Sequence, residues 1–352
     1  MFVLNSSPPL ISSSPSSASS LTARPYSQYS MEVGTARTPR QRGGSEDGKG
    51  ASDTAAPNPF SQYYAQLTHQ QNMLQDGQRT GLYRSAILEN ARDFAGKVVL
   101  DVGTGSGVLA FFAAQAGARK VYAVEASAVA EAAQALVDAN NMSHVITVVR
   151  GKVEEVELPE RVDIIISEPI GFLLVHERML ESYIMARDRF LKPGGLMFPA
   201  VGTIVIAPVT DPALHAEQAA KATFWDQRDF LGIDLSVLRE KALQEHFGVA
   251  VVGFLPASSV VSSNLATHVV DFRTVTCEEL KSFEIPLRLS INRTAIVHGL
   301  GCWFELAFAD GSQRKVVLST GPESPGTHWY QCRLLLQQPI GVNATQASRP
   351  CS

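Results

Sequence analysis

The sequence predicts an α/β protein in two parts, a doubly wound domain on a parallel sheet followed by an antiparallel, barrel-like β domain with a helical insertion. Three observations predict it. An apolar run, Val98 to Val102, ends in Gly103-Thr-Gly105-Ser-Gly107 and passes directly into a helical pattern, Val108 to Ala118. Strand-like and helix-like segments then alternate as far as Pro199. Beyond Pro199 the text turns to short alternating strands.

Residues 1–57 are rich in Ser, Pro and Gly, and such composition cannot offset the entropy of ordering. A disordered tail is expected there. Its first 30 residues carry no Asp or Glu and many serines, a transit-peptide flavour, but Arg24 is their only basic residue. Met31 is an alternative start.

The first domain is expected over 58–199. Phe60, Tyr63, Tyr64, Leu67, Gln71, Met73 and Leu74 recur at helical spacing, and Leu82 to Phe94 resumes it. These give two helices joined by Asp76-Gly-Gln-Arg79, a layer able to fold over a ligand. Strands follow at Lys120–Val124, Val145–Val149 and Val162–Ser167, with helices over 126–140 and 178–191 and a fifth strand before Pro199. The second domain is expected over 200–340, with strands at 203–208, 266–272, 283–289, 299–308, 314–318 and 331–336. A helical arm over 211–247 carries Phe224, Trp225, Phe230 and Leu231, exposed-looking residues that suggest self-association. Residues 341–352 read as an irregular tail.

The glycines at 103 and 105 let the backbone turn sharply and let a ligand approach the N–H groups of the following helix. In a parallel sheet ligands sit beyond the carboxyl ends of the strands. Asp101, Glu125, Glu154 and Glu168 all fall there, with Glu125 at the distance from the turn where an acid bonds ribose hydroxyls. A nicotinamide fingerprint needs a third glycine at position 108, which is Val108. Glu168 and Glu177 share a loop broken by Pro169 and Gly171, and two such carboxylates are costly unless they meet a cation. Arg79 is placed to clamp a carboxylate in two-pronged fashion.

Composition sets bounds. The net charge of -4 excludes binding to polyanions by bulk charge, and no apolar run approaches the roughly 18 residues of a membrane span. Cys277, Cys302, Cys332 and Cys351 form no C-x-x-C pair and the eight histidines are scattered, so no metal site is expected.

Taken together, Val-Leu-Asp101-Val-Gly-Thr-Gly-Ser-Gly107, the loop Ser167-Glu168-Pro…Glu177-Arg-Met-Leu-Glu181 and Thr327-His328-Trp329-Tyr330 resemble the protein arginine methyltransferases, from about Gln62 to Pro339. Finer text, His69-Gln-Gln-Asn-Met73-Leu-Gln-Asp76 and Gly151-Lys-Val-Glu-Glu155, is similar to the coactivator-associated type I subgroup. The resemblance implies an S-adenosylmethionine-dependent methyltransferase domain and transfer of methyl groups to protein arginines, with S-adenosylhomocysteine as the other product. It implies monomethyl and asymmetric dimethyl arginine on histone H3 and other proteins. Glu168 and Glu177 would grip the guanidinium, and His328, bonded to Asp76, would relay the proton. Arg79 would bind the methionine carboxylate and Glu125 the ribose. Asp101, Gly103, Gly105, Gln70, Val153, Glu154 and Ser182 would complete the cofactor site, while Tyr64, Met73 and Trp329 would line the arginine channel. It further implies a homodimer, no direct nucleic-acid or membrane contact, and residence in nucleus and cytoplasm.

The chain departs from the family pattern at Ile170, where Met is usual, and at Ser61, where an aromatic is expected. It also turns into Gly341-Val-Asn-Ala-Thr-Gln-Ala-Ser-Arg-Pro-Cys-Ser352, which resembles no barrel strand. Two readings therefore compete with an active enzyme: a scaffold that keeps cofactor binding but has lost turnover, and a nicotinamide-dependent oxidoreductase.

Overall fold

A computed structural model of the chain describes residues 30–32, 63–308 and 314–344. Two sheets organise it. The first is five-stranded and parallel: β2 (Val98–Val102), β3 (Lys120–Glu125), β4 (Ile146–Arg150), β5 (Val162–Ser167) and β6 (Leu191–Phe198), in the order β4-β3-β2-β5-β6. Chain order reverses at β2, so a crevice opens beyond its carboxyl end between the turns that follow β2 and β5. β2 is buried along its whole length, which is why it reads as an unbroken apolar run.

The second sheet is antiparallel, in the order β1 (Ser30–Glu32), β8 (Val249–Gly253), β12 (Gln331–Val342), β10 (Ala295–Ala307), β7 (Val201–Val209), β9 (Ala266–Asp271), with β11 (Val317–Ser319) also on β10. The expected tail otherwise lies outside the described residues, but residues 30–32 pair with β8. Three further expectations are corrected. Residues 283–289 form no strand, consistent with Pro286 having no N–H to give a ladder. β8 was missed because its run is short and abuts the preceding helix. β12 continues to Val342, two residues into the expected irregular tail.

The helices over the crevice are α1 (Leu67–Gln75) and α2 (Gly77–Leu88), with the one-turn α3 (Ala91–Phe94) following. Helix α2 starts directly at Gly77 because the Asp76 side chain caps it, accepting the Arg79 N–H at 2.9 Å. Residues 77–79, expected as part of the joining segment, are thus the first turn of α2. α4 (Val108–Gln115), α5 (Ala130–Ala139) and α6 (Met179–Phe190) cover the parallel sheet. The arm over 211–247 is helical in short pieces, chiefly α7 (Pro212–Ala220) and α8 (Arg239–Phe247). Phe224, Phe230 and Leu231 are exposed there, whereas Trp225 is partly buried against the cluster of Ala222, Ala242, Leu243, Phe247 and Leu335.

One core runs through both parts, from Val99, Leu100 and Ile164–Ile166 of the parallel sheet to Phe304, Leu306 and Trp329 of the antiparallel one. Fully buried Asn90 staples them as well: its amide bonds both backbone groups of Arg314 and the carbonyl of Ala86. Burying three satisfied bonds at one side chain fixes how the second sheet sits over the crevice.

Candidate active site

The site is built from five loops that meet at the crevice. The first is the turn after β2. Gly103 and Gly105 have φ of 67° and 55°, a region that favours glycine. A Cβ on Gly103 would lie 2.1 Å from Met179 Cε, and one on Gly105 would lie 2.6 Å from Gln70 Oε1. The glycines are thus needed for conformation and for close approach together. Gln70 bridges this turn to the helical layer, its Oε1 accepting the Ser106 N–H at 3.0 Å and its Nε2 donating to the Tyr64 carbonyl at 2.8 Å.

Glu125 ends β3, and its two oxygens accept the N–H groups of Gly105 (2.9 Å) and Ser127 (2.8 Å). Glu154 accepts the Ser182 hydroxyl at 2.5 Å, and the Val153 carbonyl beside it accepts from Arg189 at 2.6 Å. Asp101 stands apart. It is fully buried, held by the Thr104 hydroxyl at 2.5 Å, with one carboxylate oxygen unpartnered among the described residues. Burial pushes its carboxyl up to about 7, against the pull of Thr104. Its position is therefore under the turn, as a support, and not in the wall facing a ligand.

The double-glutamate loop follows β5. Glu168 accepts Arg79 Nε at 3.0 Å and Arg79 Nη2 at 2.7 Å on one oxygen, and the Ile170 N–H at 3.3 Å on the other. The pair is almost wholly buried. The loop then winds through Leu173, Leu174, Glu177 and Arg178, all at positive φ without being glycine. Such strain persists only where the surroundings over-determine it. It delivers Glu177 back to the mouth of the crevice, where the Tyr64 hydroxyl donates to it at 3.2 Å. Burial, then the nearby Glu168 carboxylate, raise Glu177 to about 8, although the Tyr64 bond works the other way. Tyr64 in turn is pushed well above the usual phenol range, by burial and by Glu177.

The fifth loop comes from the antiparallel sheet. His328 meets Asp76 through two bonds onto one carboxylate oxygen, from its backbone N–H at 2.9 Å and its Nδ1 at 2.7 Å. Burial opposes ionisation of Asp76, but the His328 and Arg79 bonds prevail and lower its carboxyl below the usual range. An ionised Asp76 only accepts, so Nδ1 carries the proton and Nε2 is the basic nitrogen. Trp329 is buried and its Nε1 donates to the Ile170 carbonyl at 2.9 Å, tying this loop to the glutamate loop.

Among the described residues no group of three or more His, Cys, Asp or Glu is arranged to hold a metal ion, and no helix is long and apolar enough to cross a membrane.

Comparison with known proteins decides what this arrangement belongs to. Residues 200–348 match the family described as the arginine methyltransferase oligomerization subdomain, and residues 86–197 match ribosomal protein L11 methyltransferase. A solved structure of the Trypanosoma brucei PRMT1 enzyme-prozyme complex with AdoHcy is 38% identical, with a TM-score of 0.73 over 81% of this chain and 86% of that one. Arabidopsis thaliana protein arginine methyltransferase 10 is 36% identical, with a TM-score of 0.74 over the same shares. The chain belongs to the protein arginine methyltransferases.

Within that family, a probable histone-arginine methyltransferase CARM1 of Oryza sativa subsp. indica is 54% identical over 82% of this chain, and the histone-arginine methyltransferase CARMER of Drosophila persimilis is 48% identical over 84%. The chain spans about half the length of these curated relatives, 54% and 55% respectively. As a methyltransferase fold it brings together Gln70, Asp76, Arg79, Glu168, Glu177 and His328 from three separated segments. Met179 was not foreseen. Its side chain rests on Gly103 and so links the turn after β2 to the start of α6, two residues after Glu177. A methionine in an apolar helix pattern carries no sequence signal that separates this position from core.

Proposed function

We propose that this chain transfers methyl groups from S-adenosylmethionine to guanidinium nitrogens of protein arginines. The observation that carries the reading is the convergence of Glu168 and Glu177 at one mouth, close enough for one to raise the other, with Arg79 and Tyr64 holding them. Two adjacent buried carboxylates are a poor arrangement for an empty cleft and a good one for a flat, delocalised cation.

The residues present fit the cofactor. A turn that excludes Cβ at two positions, a carboxylate at the end of β3 and a guanidinium beyond it match glycine-cradled backbone, ribose hydroxyls and a methionine carboxylate in turn. In this reading Arg79 binds the carboxylate, Glu125 the ribose, and Gln70, Val153, Glu154 and Ser182 the remainder, with Asp101 supporting the turn from below. When bound, S-adenosylmethionine supplies a methyl group already activated on sulfonium.

The protein's own share is positioning. Glu168, steered by Arg79, and Glu177, steered by Tyr64, take the guanidinium in charge-assisted bonds and leave one nitrogen aimed across the crevice. Arrival of the cation favours the ionised form of Glu177, so its proton leaves on binding. His328, with Nδ1 fixed by Asp76, holds Nε2 ready to accept the proton released on transfer. Met73, on α1, would limit room beside the target nitrogen, and Tyr64 and Trp329 would confine the channel. Trp329 does so from behind, through Ile170.

Asymmetric dimethyl arginine as end product, histone H3 as a substrate, a homodimer through the exposed residues of the arm, and residence in nucleus and cytoplasm belong to the same proposal. The similarity to histone-arginine methyltransferases supports the first two. Phe224, Phe230 and Leu231 support the third. The catalytic reading is favoured over a scaffold because every group it needs is assembled and hydrogen-bonded in the described residues. Mass spectrometry of a histone H3 peptide incubated with the 352-residue chain and S-adenosylmethionine tests it. Mass shifts of one and two methyl groups on arginine support the reading, and unmodified peptide despite cofactor binding refutes it.

A further inference from the structure

One face of α6 grips the loop that follows β4. Met179, Ser182 and Arg189 share that face, since helical residues three and seven apart in sequence point the same way. Met179 rests on Gly103, and the Ser182 hydroxyl donates to Glu154 Oε1 at 2.5 Å. Arg189, two turns further on, takes the backbone on both sides of Glu154. Its Nη1 donates to the Val153 carbonyl at 2.6 Å and its Nη2 to the Val156 carbonyl at 3.0 Å. Nη2 also meets Glu157 Oε1 at 3.0 Å, but that carboxylate is 86% exposed and the ion pair is screened by solvent. The two carbonyls are the contacts that matter.

The loop itself is a single closed turn. Gly151 N–H bonds the carbonyl of Glu125 at 2.9 Å, and the Lys152 carbonyl accepts from Glu155 at 2.9 Å and Val156 at 3.0 Å. Gly151 has φ 152°, and a Cβ there would lie 2.6 Å from Val156 Cγ1. Val153 is buried, so without Arg189 its carbonyl would be an acceptor shut away from water. A planar guanidinium can serve two carbonyls with two nitrogens, which a single ammonium cannot.

We propose that Arg189 is a positioning residue for the purine of the cofactor. It fixes the backbone from Val153 to Val156, and with it the Glu154 carboxylate, in the place where that loop meets the base. The proposal rests on the S-adenosylmethionine reading above. It adds a residue outside the set given to the cofactor there, and says what that residue controls. Ser182 holds Glu154 Oε1, which leaves Oε2 to accept from an amino group on the base. A 6-oxopurine offers a carbonyl at the same place, and two acceptors repel. Discrimination between the two bases therefore depends on how firmly the loop is held.

The test is calorimetry of the full chain with S-adenosylhomocysteine and with S-inosylhomocysteine, its 6-oxo counterpart. Wild type is expected to bind the adenosyl form more tightly. Arg189→Ala weakens that form about five- to twentyfold, the size of one or two neutral hydrogen bonds, and the inosyl form far less. Arg189→Lys, which still reaches one carbonyl, recovers part of the preference, and it carries the test alone if the alanine variant does not fold. Glu157→Gln removes only the exposed ion pair and keeps the wild-type values. In steady-state assays of Arg189→Ala, KM for S-adenosylmethionine rises by a similar factor while kcat at saturating cofactor holds. Equal affinity of wild type for the two nucleosides, or a preference unchanged in both Arg189 variants, overturns the proposal. So does an equal loss for both nucleosides, or a fall in kcat at constant KM, the marks of a general loosening. A wild type that binds neither nucleoside refutes the cofactor reading and the proposal with it. A preference that depends on Arg189 without methyl transfer keeps the proposal and rejects only the enzymatic reading.

Discussion

His328 and Asp76, 252 positions apart in the chain, are joined by two hydrogen bonds onto a single carboxylate oxygen. The other oxygen of Asp76 caps α2 at Arg79. One side chain thus starts the helix that carries Arg79 and orients the imidazole delivered by the antiparallel sheet. Asp76→Asn keeps shape but exchanges an ionised acceptor for an amide. It is expected to release the Nδ1 tautomer, destabilise the fold by about 1–2 kcal/mol and lower kcat more than it raises KM. Urea unfolding and steady-state kinetics of the variant check both, and an unaltered kcat would remove the relay from the mechanism.

Glu177 sets a pH dependence whose sign follows from its position. Its folded value is about 8 against 4.5 for the free side chain. Between those values the unfolded chain has already lost the proton that the folded chain keeps, so stability falls as pH rises from about 5 to 8, by up to about 1.4 kcal/mol per pH unit. Asp101, held up to about 7, adds a slope of the same sign below that pH. Glu177→Gln is expected to flatten the curve and to be more stable than wild type near pH 8. Thermal melts of both proteins from pH 5 to 9 decide the matter; parallel curves would show that Glu177 is ionised throughout.

The same carboxyl governs activity in the opposite direction. Arginine binding needs the ionised form, so kcat/KM is expected to rise from pH 7 to 9 and to level off above the apparent value of the glutamate pair. Glu177→Gln is expected to lower methylation at least about 100-fold while leaving cofactor affinity largely intact, the pattern of a removed electrostatic contact. Calorimetry with S-adenosylhomocysteine beside the rate assay separates the two effects. Loss of both together would count against the role given to Glu177.

Arg79 bonds Glu168 with two nitrogens in a nearly dry setting. Arg79→Ala strands Glu168 without its partner and is expected to cost about 3–5 kcal/mol. Arg79→Lys keeps the charge but not the fork, and should recover part of that stability without recovering cofactor affinity. If the lysine variant binds S-adenosylhomocysteine as wild type does, Arg79 holds Glu168 only.

Gly103 and Met179 make a steric pair. Gly103→Ala adds a methyl 2.1 Å from Met179 Cε at a φ of 67°. It is expected to lose about 1–3 kcal/mol and most cofactor affinity. Met179→Ala in the same chain should return part of the stability, leaving the backbone strain. A double-mutant cycle measures the coupling, and strict additivity would mean that the methionine moves aside freely.

Much of this protein was written locally. The strand-turn-helix at Val98 to Ala118, the alternation to Pro199 and the acids at strand ends follow from period, glycine placement and burial, all of which act over a few residues. They located Glu125, Glu168 and Glu177 and the parallel sheet. The boundaries of α2 and the loss of the expected strand at 283–289 turned on single residues, the Asp76 cap and Pro286, whose effects a periodicity averages away. What only the tertiary structure decided are meetings across long separations. These are Asp76 with His328, Asn90 with Arg314, Met179 on Gly103, and Arg189 with Val153. It also decided the environment of each acid: Asp101 under the turn, Glu177 raised by burial and by Glu168. The reason is physical. Hydrophobic period and turn chemistry are properties of neighbouring residues, whereas desolvation and pairing depend on which distant atoms displace the water.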